Sequence, residues 1–213
     1  MRLPPMPPPS SAPAPLLRTF IAVELPDAVR QQVQDYQRDL RKKLDQEQLS
    51  GLFRWTHGDN LHLTLRFLGD TTGEQQAQME RAMTALALTC PAFRLAVQKV
   101  GAFPNLRKPN IIWLDFAGQL HLLTLLQAKI EHAAQAAGFA AEERAFAPHL
   151  TIARAQKNVS PPALARAGHL LDADAPLQSP PTSFLVDQIF LIRSDLRPSG
   201  PVYRPLAAFP LAV

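Results

Sequence analysis

The chain has 213 residues, 46% of them apolar and 19% charged, which is enough hydrophobic material for a sizeable core and argues against disorder along its whole length. A lone cysteine, Cys90, excludes an internal disulfide framework and a cysteine-based zinc site, and no apolar run approaches the roughly 18 residues of a membrane span. The formal charge of +4, carried by sixteen Arg and six Lys, allows a polyanionic ligand without demanding one. Planar guanidinium suits phosphate, although an Arg-favouring codon bias would give the same count.

Residues 1–15 hold seven of the 21 prolines and no apolar h-region, so they read as a disordered leader rather than a secretory signal. That leaves 16–213 for one large domain or two tightly joined lobes. Arg18–Glu24 is short and β-branched and reads as a buried strand; Pro26 and Asp27 open a helix to about Leu44. Leu52–Trp55 predicts a strand, Gly58–Asn60 a turn, and Leu61–Leu68 a second strand ending at Gly69. Helical spacing covers about Gly73–Leu88 and Gln119–Ala137, with Gly138 as a C′ stop.

Phe93–Val100 and Ile111–Phe116 read as strands around a loop, Gly101–Asn110, punctuated by two prolines. Pro148–Ala153 is again strand-like. Asn158–Pro181 reads as a long loop with one short helix near Ala163–Leu171, and Thr182–Ile192 and Val202–Phe209 finish the chain as strands. Strands and helices are mixed without steady βαβ alternation, and there is neither a P-loop nor a dinucleotide-binding glycine fingerprint, so the class is α+β.

Two tetrapeptides stand out, His62-Leu63-Thr64-Leu65 and His149-Leu150-Thr151-Ile152, 87 positions apart. On a strand, the period of two puts His and Thr on one face and the aliphatic residues on the other. Two chance matches would occur in roughly one such sequence in a thousand. Of two imidazoles facing one cleft, one can accept a proton while the other donates, and the neighbouring hydroxyls can bond nonbridging phosphoryl oxygens as charge grows there. Water can be the nucleophile. Paired histidines can also bind metal, but neither motif has the i,i+4 helical spacing of zinc proteases, a thiolate or an internal carboxylate, so no metal and no cofactor is expected. His57, His121, His132 and His169 read as surface or structural residues.

The sequence resembles the 2H phosphoesterase superfamily, and within it the bacterial RNA 2′,3′-cyclic phosphodiesterases, once called 2′-5′ RNA ligases. The resemblance rests on both His-x-Thr-x motifs together with Arg18–Pro26, Asn60–Gly69, Gly101–Pro104, Ile111–Leu114, Pro148–Arg154, Ser194–Leu196 and Gly200–Tyr203. It implies a bilobed α+β fold in which two similar antiparallel sheets face each other across a central cleft, with helices outside. It also implies metal-independent hydrolysis of a terminal RNA 2′,3′-cyclic phosphate to a 2′-phosphomonoester. His62 would then be the proton donor, His149 the proton acceptor, and Thr64, Thr151 and Arg154 the phosphate-binding residues.

Arg66 shares the His62 and Thr64 face by strand parity, and Phe103 or Trp113 would either stack a base or pack in the core. The partners expected are RNA ends or nucleotides bearing a cyclic phosphate; the setting expected is cytoplasmic, and the state monomeric. The alternatives are 2′-5′ ligation or cleavage at tRNA-like ends, and a non-catalytic RNA- or nucleotide-binding module. Water at about 55 M favours hydrolysis over joining, which must hold an RNA hydroxyl in place by binding energy.

Overall fold

The computed structural model describes residues 16–172, 182–198 and 200–212. The proline-rich leader and the 173–181 part of the long loop lie outside these residues. Nine strands and four α-helices follow in the order β1 (Leu17–Glu24), α1 (Asp27–Gln46), β2 (Phe53–Trp55), β3 (His62–Thr71), α2 (Gly73–Ala87), β4 (Phe93–Asn105) and β5 (Lys108–Gly118), counting only described residues. Next come α3 (Leu120–Ala136), β6 (Leu150–Ala155), α4 (Pro161–Asp172), β7 (Ser183–Val186), β8 (Gln188–Arg197) and β9 (Gly200–Pro210). The strands form two antiparallel sheets, one ordered β3-β1-β8-β9 and the other β2-β6-β5-β4-β7. The expected α+β architecture is present.

Local chemistry explains the helix limits. Thr72 and Gln75 form a reciprocal capping box at the start of α2, with Gln75 N donating to Thr72 Oγ1 at 3.2 Å and Thr72 N to Gln75 Oε1 at 3.1 Å. Past the end of α3, Gly138 adopts φ +82°, the left-handed conformation that glycine enters without a Cβ penalty. In α4, Gly168 lets the helix meet the tip of the β4–β5 hairpin, because a Cβ there would meet the Leu106 carbonyl oxygen at 1.6 Å.

One apolar cluster joins the sheets and helices. Leu63 and Leu65 from the first motif and Leu150 and Ile152 from the second are buried in it, with Val33 and Leu40 of α1 and Leu126 and Ile130 of α3. Each such side chain contributes about 1.5 to 3 kcal/mol of hydrophobic stabilisation, so the aliphatic half of each motif anchors the polar half. A smaller cluster of Phe20, Ala22 and Ile192 lies on the opposite side of β1, making that strand buried on both faces.

Three expectations need correction. Gly101–Asn110 is not a loop: β4 and β5 form one long hairpin that pairs as far as Asn105 and Lys108. Its prolines are tolerated because the ribbon projects past the last β5–β6 partner, Ile111 with Arg154, so Pro109 has no second neighbour there. Thr182–Ile192 is not one strand, since β7 pairs with β4 and β8 with β1, and the chain changes sheet at Asp187. The helix after Asn158 is longer than expected and begins at Pro161, where a missing N–H costs nothing.

Candidate active site

His62 opens β3 on the cleft face, and Thr64 follows it there. The His62 Nδ1 lies 2.8 Å from the Asn60 carbonyl, which can only accept, so Nδ1 carries the hydrogen and Nε2 accepts from the Thr64 hydroxyl at 3.0 Å. Phe20 lies against the ring at 4.8 Å and Tyr203 meets it edge-on at 5.1 Å. This aromatic cage desolvates the imidazole. Burial, followed by the charges of His149 and Arg154, pushes His62 down to about 4 against the opposing hydrogen bond to Asn60. His62 is therefore neutral at pH 7 in the free protein.

His149 does not lie within a strand as expected; it immediately precedes β6, because Pro148 has no N–H and the ladder starts at Leu150. It repeats the first motif's local bond, with Nδ1 donating to the Ala147 carbonyl at 2.8 Å, and among the described residues no hydrogen bond engages Nε2. Phe103 meets the His149 ring edge-on at 5.1 Å, and Trp113 lies 6.4 Å away. These two aromatics pack behind the imidazole.

The cleft between the sheets gathers all five residues anticipated from the motifs: His62, Thr64, His149, Thr151 and Arg154. It also brings in residues that the motifs did not reveal, chiefly Phe20, Arg54, Asn60, Phe67 and Tyr203. Asn60 donates through its side chain to the Pro201 carbonyl at 2.9 Å, fixing β9, and so Tyr203, over His62. Buried Gln37 of α1 donates to the carbonyls of Thr56 at 3.0 Å and Ile152 at 2.9 Å, tying a cleft wall to the centre of the second motif. Burial raises the Tyr203 phenol above its ordinary value, against the opposing charges of Arg154, Arg18 and Arg54.

Arg66 departs from the expectation. β1 pairs Ala22 with Thr64 but Ile21 with Arg66, leaving Leu65 as an extra residue in a bulge. The bulge inverts the alternation, so Phe67, 41% exposed, takes the cleft-facing place and Arg66, 7% exposed, turns away. Arg66 Nε lies 2.5 Å from Glu131 Oε2 of α3, while its Nη groups donate to the Phe67 carbonyl at 2.6 Å and to the Ala140 carbonyl. It ties the first motif's strand to the segment that leads to His149. Glu131 is held below the ordinary carboxylate range, since hydrogen bonds from Gln135 and Glu142 and the Arg66 charge outweigh the upward push of burial.

His57 stands at the exposed rim beside Asp59, at 3.3 Å, while His121 and His132 lie on α3 and His169 on α4. Among the described residues, no group of three or more His, Cys, Asp or Glu side chains could hold a metal ion. The five motif-derived residues thus present two imidazoles, two hydroxyls and a guanidinium to one space, with the Arg54 guanidinium beside them, a set suited to holding an anion and moving protons.

A family model described as LigT like Phosphoesterase matches residues 23–113 and 118–203. The chain belongs to this family. It is 32% identical over 193 residues to an RNA 2′,3′-cyclic phosphodiesterase of Geobacillus stearothermophilus, a match covering 90% of this chain but only 56% of that relative. It is 28% identical over 196 residues to the protein of the same name from Methanothermobacter thermautotrophicus, covering 92% of this chain and 99% of the relative. Among solved structures, E. coli LigT complexed with 3′-AMP superposes with a TM-score of 0.71 at 24% identity, covering 93% of this chain and 99% of that one, which is a likeness of fold. A structure from Thermus thermophilus has the same TM-score of 0.71 at 28% identity, covering 92% of this chain and 98% of that one.

Proposed function

We propose that the protein hydrolyses RNA terminal 2′,3′-cyclic phosphate to a 2′-phosphomonoester by acid and base catalysis between His62 and His149. The observation that carries this reading is the convergence of both His-Thr pairs and Arg154 on one cleft. His149 takes a proton from water as the water oxygen bonds phosphorus, and protonated His62 gives its proton to O3′ as the P–O3′ bond breaks. Thr64, Thr151 and Arg154 hold the nonbridging oxygens, where charge increases in the transition state. The neutral resting state of His62 fits its donor role only when the anion is bound: a phosphate beside the ring offsets the Arg154 charge and raises the basicity of His62, which then takes up a proton from solvent.

Intact hydroxyl and imidazole pairs favour catalysis over a non-catalytic binding module. The substrates proposed are RNA ends and nucleotides bearing a cyclic phosphate, and the names of the relatives support that class. We take residues 16–213 to act as one bilobed unit, since a single buried cluster draws on both sheets, and as a monomer, since one chain supplies every cleft residue named. Buried Cys90 suits a reducing cytoplasm, and no described helix is long and apolar enough to cross a membrane.

Turnover of a 2′,3′-cyclic substrate tests the assignment. His62→Ala and His149→Ala are each expected to lower kcat by roughly 10²- to 10⁴-fold, with chelator leaving the unsubstituted protein active. Unchanged turnover in either variant would remove that histidine from the mechanism.

A further inference from the structure

The cleft measures about 280 Å³, at the low end for a small-molecule site, which is room for about one nucleotide. An RNA substrate must therefore leave it, and the walls differ in what they offer. On one side stand the rings of Phe67 and Tyr203, backed by buried Phe20, a surface for a base. On the other, beyond Arg54 and Trp55, the cleft opens over Thr56 and His57.

Those same two residues line a second groove, whose far wall is α1, with Gln31, Gln34, Arg38 and Arg41. The two depressions adjoin, with Thr56 and His57 as their common wall. The Arg41 guanidinium lies over the Trp55 ring, 4.8 Å from its centroid, so one aromatic ring lines the cleft and also seats a cation of the adjoining groove. Arg38 is paired with Asp35, a contact that a phosphate would have to share. By contrast, the groove around Gly101, Arg107 and Trp113 has no lining residue in common with the cleft.

Resting on the reading above, we infer that the nucleotide 5′ to the cyclic end runs over Thr56 and His57 onto α1, where Arg41, aided by Arg38, binds its phosphodiester. A guanidinium that is stacked and pre-oriented beside amide side chains matches a nonbridging phosphate oxygen, and contact with the chain rather than a base makes the track tolerant of sequence. The protein would thus prefer an oligonucleotide to a lone nucleotide cyclic phosphate.

The test compares cytidine 2′,3′-cyclic phosphate with a tetraribonucleotide ending in the same group, for the unsubstituted protein and for Arg38→Gln/Arg41→Gln. The variant is expected to lose about tenfold in kcat/KM on the tetranucleotide, to stay within about twofold on the mononucleotide, and to flatten the logarithmic salt dependence by about 0.7 to 1. Equal effects on both substrates, or none on either, would overturn the track. If the unsubstituted protein opened neither substrate, the activity itself would be refuted. Fluorescence anisotropy of a labelled tetraribonucleotide with a plain 3′-phosphate end would then decide the track alone: weaker binding by the variant upholds it, and equal binding overturns it.

Discussion

In both halves of the cleft the histidine donates Nδ1–H to the carbonyl two residues upstream, Asn60 in one and Ala147 in the other, each at 2.8 Å. Beyond that bond the halves part. His62 is seated between Phe20 and Tyr203, with Nε2 engaged by Thr64, and its basicity falls to about 4. His149 comes off an irregular segment and leans its ring on the edge contact with Phe103. The backbone just before each tetrapeptide thus fixes the tautomer, whereas at His62 the surrounding fold lowers the basicity.

Arg66 holds the two halves together, and its loss should have the largest effect on stability. Arg66→Met leaves the Glu131 carboxylate and the Ala140 carbonyl without their cationic partner, and is expected to cost about 3 to 5 kcal/mol in urea unfolding. A loss below about 1 kcal/mol would mean that the ion pair does not couple β3 to the segment before His149. Adding Glu131→Met should recover part of the loss, because the stranded charge goes with it.

A smaller effect follows from the lowered basicity of His62. The unfolded chain binds that proton near pH 6.5 and the folded protein only near 4, so stability is complete above about 6.5 and falls as pH drops toward 4, by about 3 kcal/mol at most. His62→Gln should flatten this part of the stability curve. Tyr203→Ser, which opens the cage, should raise the proton NMR titration midpoint of His62 from about 4 toward the ordinary 6.5. A midpoint that did not move would remove the Tyr203 wall as a cause of the shift.

Much of this site is legible in the sequence because its signal is local. His62 with Thr64 and His149 with Thr151 each need only strand spacing to share a face, and the leucines between them declare the buried side. What stays hidden depends on long-range pairing. No residue near Arg66 announces a bulge at Leu65, since the extra residue exists only relative to β1, and strand parity alone therefore points to Arg66 where the fold presents Phe67. Tyr203 reaches His62 only through the β8–β9 pairing and the Asn60 bond to Pro201, and Gln37 reaches Ile152 across 115 positions. The β4–β5 hairpin reads as a loop because Pro104 and Pro109 normally mark loops, whereas here they occupy a projecting ribbon.

Phosphorus NMR of an RNA carrying a terminal 2′,3′-cyclic phosphate, followed during incubation with the protein, reads out which P–O bond the cleft breaks. The cyclic resonance should give way to that of a 2′-phosphomonoester, as expected if O3′ departs with the proton of His62. A 3′-phosphate product, a new phosphodiester, or a resonance that persists unchanged would exclude hydrolysis with O3′ as the leaving group.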